Sequence, residues 1–90
     1  MIILMSKVVS VHERKTSMRL SDVEWRILDE ICCLEKIRRK NLLELIEDNS
    51  PAQFGLTPSV RLFSLLYVYS KHRKLAASQT CLQEALLLLK

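Results

Sequence analysis

The sequence predicts a mainly α-helical chain with one short amino-terminal β-strand, and three observations carry that reading. Arg14 to Leu20 alternate between apolar and polar residues, Ser21 and Glu24 then carry a helix-start signature, and beyond Ser21 the apolar residues recur at helical spacing. One Gly and two Pro in 90 residues leave few breaks in such a chain.

In the strand, Thr16, Met18 and Leu20 fall on one side while Lys15, Ser17 and Arg19 fall on the other. Ser21 stands three residues before Glu24, so its hydroxyl can accept from the Glu24 amide while the carboxylate returns to the Ser21 amide, as in a capping box. The strand ends there. A strand this short needs partners for its backbone groups, and no second clear strand is legible after Ser21. The simplest expectation is the same strand of another copy, giving a homodimer with an intermolecular antiparallel β-ribbon. Residues 1–11 are left open between a separate arm and an extension of the strand.

A first helix is expected from Asp22 to Leu34, with Trp25, Ile27, Leu28, Ile31, Cys32 and Leu34 on an apolar arc and Arg26, Asp29 and Glu30 in water. A second should run from Arg38 to Asp48 and end at the turn-forming NSPAQFG segment. Thr57 and Pro58 suggest the start of a third, with Thr57 as the cap. That helix is apolar around much of its circumference, so it should be largely buried, and its SKHRK end complements the helix dipole. A last segment, from about Thr80 to Lys90 and opened by Thr80 and Gln83, reads as a short helix. The expected organisation is an arm over 1–11, a domain over 12–70 and a helical tail over 71–90. Leucines in the tail can pack on the domain or bind another protein, and the role of 79–90 stays open.

The net charge of +4 suggests an anionic partner, but its distribution matters more. Through Asn49 nine Lys and Arg stand against nine Asp and Glu, with seven of the cations segregated into two clusters. One is Arg14, Lys15 and Arg19 on the strand; the other is Lys36, Arg38, Arg39 and Lys40 between the first two helices. Three cysteines, two adjacent, give neither a disulfide framework nor metal-ligand spacing, which suits a reducing, cytoplasmic setting. His12 and His72 read as surface histidines. No nucleophile, base and orienter come together and no glycine-rich phosphate loop occurs, so no catalysis, metal or cofactor is expected. Met1 to Met5 is too short for a signal-peptide core, and no apolar run approaches a membrane span.

Lys15-Thr16-Ser17, the Leu20 to Trp25 segment, Leu42 to Asp48 and GLTPSVRLFSL from Gly55 to Leu65 together resemble the ribbon-helix-helix superfamily of dimeric DNA-binding proteins. The likeness is to a bacterial group with a third helix after the core, and it covers roughly His12 to Tyr69. It implies that paired strands enter the major groove, with Lys15, Ser17 and Arg19 facing base edges. It also implies that Lys36, Arg38, Arg39 and Lys40 meet the phosphate backbone at the start of helix two. Met18, Leu20, Trp25, Leu28, Ile31, Leu42 and Ile46 would form the dimer core. The usual glycine between the first two helices is replaced here by Lys36, Ile37 and Arg38. The function so implied is a small dimeric transcriptional regulator binding double-stranded DNA. The alternative is a protein-interaction module, antitoxin-like or adaptor, whose carboxyl-terminal helices dock a partner.

Overall fold

In the computed structural model, which describes residues 3–73 and 81–89, the alternating segment is the second strand of a hairpin. β1 spans Leu4–Val11 and β2 spans Arg14–Ser21; α1 (Asp22–Glu35), α2 (Arg39–Asn49), α3 (Leu56–Arg73) and α4 (Cys81–Leu89) follow. The strands are antiparallel, in register from Leu4 opposite Ser21 to Val11 opposite Arg14. Two expectations are thereby corrected: β2 finds its partner strand within its own chain, and the segment set apart as an arm is β1 from Leu4 onward. The turn carries no local signal of a hairpin. His12 and Glu13 have φ of 48° and 64°, both left-handed as type I′ turns require, at positions where Asn and Gly are the usual signal. The strain is met partly from outside the hairpin, because the His12 amide donates to Glu44 Oε2 on α2 at 3.0 Å.

The chain divides into two compact units, Met1–Leu45 and Ile46–Lys90. In the first, α1 packs on β2 directly after the capping box, which forms as expected: Glu24 N donates to Ser21 Oγ at 3.2 Å and Ser21 N to Glu24 Oε1 at 2.8 Å. Arg26 pairs with Asp22 at 3.1 Å one turn along the helix. At the other end Lys36 takes the left-handed position, φ 54°, that a glycine normally fills. Its amide reaches Cys33 O at 3.3 Å and the Ile37 amide reaches Cys32 O at 3.0 Å, completing the helix stop despite the Cβ. Relieving that strain with Lys36→Gly is expected to raise stability by about 0.5–1 kcal/mol in denaturant titrations. An unchanged or lowered midpoint would show the strain to be negligible.

Met18, Leu20, Trp25, Leu28, Ile31, Leu42 and Ile46 are all buried, none more than 2% exposed. Their cover comes from one chain. β1, with Val9 and Val11 upon it, adds buried surface for which the sequence alone offered no element.

In the second unit α3 opens two residues before the expected Pro58, at Leu56, and the Ser59 amide makes the first turn's bond to Gly55 O at 3.2 Å. Thr57 is therefore inside the helix rather than its cap. Pro58 is tolerated there because the first four helical amides have no intrahelical acceptor. α3 packs on α4, burying Val60, Phe63 and Tyr67 with Ala85 and Leu89, the Phe63 and Tyr67 rings lying 6.1 Å apart. Among the described residues the opposite side of α3 is exposed: Leu65, at 66%, Val68 and Tyr69 lie there, with Arg61 and His72 on the same stripe. The expected burial holds for one face only. Lys74, Thr80 and Lys90 lie outside the described residues.

Candidate nucleic-acid interface

Directly opposed residues of an antiparallel pair share a face, so the register sorts the hairpin into two. Met5, Lys7, Val9 and Val11 share one with Leu20, Met18, Thr16 and Arg14; Leu4, Ser6, Val8 and Ser10 share the other with Ser21, Arg19, Ser17 and Lys15. The first carries the buried Val9, Val11, Met18 and Leu20. On the second, Lys15, Ser17 and Arg19 are all exposed, as the alternation requires. The structure adds what the sequence reading lacked, a flanking row from β1. Ser6 and Val8 are exposed beside them, with Val8 at 71%, and the Ser6 and Ser17 hydroxyls hydrogen-bond across the ribbon at 2.8 Å. None of the eight residues on this face is acidic. The signal for β1 was its own alternation, Ser6, Val8 and Ser10 against Lys7, Val9 and Val11, hidden by the β-branched run and the unmarked turn.

The second cation cluster does not act as one group. Lys36 and Arg38 are exposed, and Arg38 O accepts the Leu42 amide at 3.0 Å at the start of α2. Lys40 is exposed but paired with Glu44 at 3.1 Å. Arg39 turns inward. Its Nη2 meets Asp29 Oδ1 at 2.7 Å, its Cζ lies 5.1 Å from the Trp25 ring centroid, and its Nε is buried without a hydrogen-bond partner. Lys7 Nζ lies 4.8 Å from the same ring, and the indole nitrogen donates to Met5 O at 2.9 Å. Trp25, expected in the core, is thus also the meeting point of β1, α1 and α2.

Glu44 holds the turn and Lys40 together, and its carboxyl is held below the usual carboxylate value of 4.5, first by the His12 amide and then by Lys40. A lowered value means the anchor is intact above the ordinary carboxylate range and lost as pH falls through the depressed one. Exchange of the His12 amide is therefore expected to accelerate, relative to its intrinsic rate, on acidification below the ordinary carboxylate range, and to be fast at every pH in Glu44→Ala. A pH-independent protection in the native chain would refute the anchor. Burial, and then Asp29, push the Cys32 thiol up despite Arg39, while Cys33 is exposed. Among the described residues no group of three His, Cys, Asp or Glu side chains is placed to hold a metal.

A protein-family model described as "Ribbon-helix-helix domain" matches residues 4–68. The chain belongs to the ribbon-helix-helix family. The match takes in both strands, α1, α2 and most of α3. Ribbon-helix-helix domains are typically DNA-binding transcription regulators rather than enzymes, and they generally bind DNA as dimers. No curated protein and no solved structure matches the chain. No helix among the described residues is long and apolar enough to cross a membrane.

Proposed function

We propose that this chain is a sequence-specific DNA-binding protein, a small homodimeric transcriptional regulator acting on DNA in the cytoplasm, that reads the major groove with the exposed face of its ribbon. The observation that carries this is the face itself: Lys15 and Arg19 exposed among hydroxyls, with no carboxylate to repel phosphate. Arg19 and Lys15 address guanine O6 and N7, Ser17 serves as donor or acceptor, and the exposed Val8 suits a thymine methyl. Lys36, Arg38 and Lys40 supply phosphate contacts and most of the affinity. Arg39, grouped with them in the sequence, is committed to Asp29 and Trp25.

The sheet has two strands, so β2 keeps one edge for a second copy. Exposed Ile3, Leu4, Met5 and Val23, gathered round a shallow apolar groove at the open end of the hairpin, favour such self-association. Pairing β2 with its counterpart brings the two reading rows together. Strands lie about 4.8 Å apart and the groove is about 12 Å wide, so the two central strands fit within it and each β1 sits by a wall, its Ser6 and Ser10 toward phosphate. The test is a salt titration of binding to a duplex selected from a random pool and to an unselected one, on protein of known oligomeric state. Binding is expected to weaken steeply with salt, with a selectivity that Lys15→Ala and Arg19→Ala reduce. Salt-insensitive binding, or equal affinity for both duplexes, rejects the reading.

A second reading, a protein-interaction module, is favoured by the uncovered stripe of Leu65, Val68 and Tyr69 on α3. A photo-cross-linking side chain at position 65 that captures one defined protein, with capture abolished by Val68→Glu, supports it. Capture of nothing, or capture indifferent to Val68→Glu, rejects it.

A further inference from the structure

Trp25 is the chain's one tryptophan, and it is 2% exposed with two cations over its ring, Lys7 Nζ from β1 at 4.8 Å and Arg39 Cζ from the first turn of α2 at 5.1 Å from the centroid. Arg39 is fixed in turn by Asp29 on α1, and the indole nitrogen holds the β1 backbone at Met5. Three elements therefore meet at one ring. Arg38 and Lys40 flank Arg39 in the chain, while Lys7 is bracketed by Ser6 and Val8 of the exposed ribbon face. Each inward cation is thus one residue from an outward group on the proposed DNA surface. Moving Arg39 or Lys7 moves those neighbours.

We infer that Arg39 and Trp25 are positioning residues for DNA recognition: the Lys7–Trp25–Arg39 stack sets the distance between the reading face of the ribbon and the phosphate-facing start of α2, so that a residue touching no DNA controls discrimination between duplexes. The inference rests on the DNA-binding reading above. The physical ground is that Arg39 is held at two points at once, at 2.7 Å from Asp29 Oδ1 and with its Cζ 5.1 Å from the Trp25 ring centroid, so that displacing it breaks an ion pair and a cation–π contact together. The buried Nε and the 2.7 Å bond to Asp29 also leave Arg39 poorly placed to meet a phosphate.

The experiment compares the full chain with Arg39→Gln, Arg39→Lys and Arg38→Ala, using a selected duplex and an unselected one across a salt series. Circular dichroism establishes that each variant is folded at the assay temperature, and Trp25 emission is read without DNA. For Arg39→Gln the expected result is an unchanged salt slope, a red-shifted Trp25 emission and a selectivity reduced about tenfold, within the range of couplings between contacting residues. Arg39→Lys, which keeps a cation over the ring, should recover part of the selectivity and emission. Arg38→Ala should instead lower the slope by about one per protomer and keep both selectivity and emission. If Arg39→Gln lowers the slope like Arg38→Ala and leaves emission and selectivity unchanged, Arg39 is a phosphate contact and the inference falls. Should Arg39→Gln not fold, the decision rests on Arg39→Lys, whose native selectivity, emission and slope would equally overturn it. Failure of the native chain to bind either duplex would reject the DNA reading itself, an outcome distinct from failure of the stack.

Discussion

Trp25→Ala is expected to destabilise the strand-bearing unit by about 3–5 kcal/mol, the range for removing a large aromatic from a close-packed core. Typical whole-domain stability is about 5–15 kcal/mol, so the variant should be partly unfolded at modest denaturant concentrations. The cost has three sources here: the cavity left by a side chain 2% exposed, the lost hydrogen bond to Met5 O, and the lost support for Lys7 and Arg39. Trp25→Phe separates them. It keeps most of the ring and the two cations over it but gives up the indole donor, and should cost about 0.5–1.5 kcal/mol because a part-buried hydrogen bond to Met5 O is lost. Denaturant unfolding followed by far-ultraviolet circular dichroism measures both, since neither variant retains a tryptophan. A loss under about 1 kcal/mol for Trp25→Ala would mean that the indole does not tie β1 to the helices.

Arg19→Ala is expected to cost about 1–3 kcal/mol on a selected duplex and far less on an unselected one, because a bidentate base contact discriminates while a phosphate contact does not. Arg19 stands on the exposed face, opposite Ser6 and two residues from Ser17, so its removal leaves the buried face untouched and stability close to native. The measurement is the ratio of affinities at one fixed salt concentration, with unfolding midpoints recorded beside it. An equal drop on both duplexes would reassign Arg19 to the backbone. No drop on either would remove the ribbon from the proposed interface.

Much of the first unit was legible because its signals are local. The alternation of Thr16, Met18 and Leu20 against Lys15, Ser17 and Arg19 needs only a period of two to be read, and Ser21 with Glu24 needs only a separation of three. The seven expected core residues are apolar at helical or strand spacing, and all are buried. His12 and Glu13 occupy left-handed turn positions without the glycine or asparagine that would announce a hairpin, so nothing local marks β1 as the partner of β2. The carboxylate that helps hold this turn, Glu44, lies 32 residues away.

The settings of the cation cluster and of α3 are less legible for a related reason. Lys36, Arg38, Arg39 and Lys40 are near neighbours in the chain and similar in charge, and nothing local distinguishes the half-buried arginine over the Trp25 ring from the exposed one beside it. Likewise an all-round apolar helix does not reveal which side will find a partner. Leu65 and Phe63 differ little in hydrophobic character, yet one is 66% exposed and the other fully buried.

The chain alone dictated which residues extend, which coil and where α1 begins, since those depend on backbone preferences and hydrogen bonds spanning a few residues. Only the folded arrangement decided that β2 pairs with β1, that Arg39 belongs to Trp25 and Asp29, and that one side of α3 stays bare. Those outcomes turn on contacts between segments distant in sequence, whose free energy depends on which surfaces meet and not on the composition of either one.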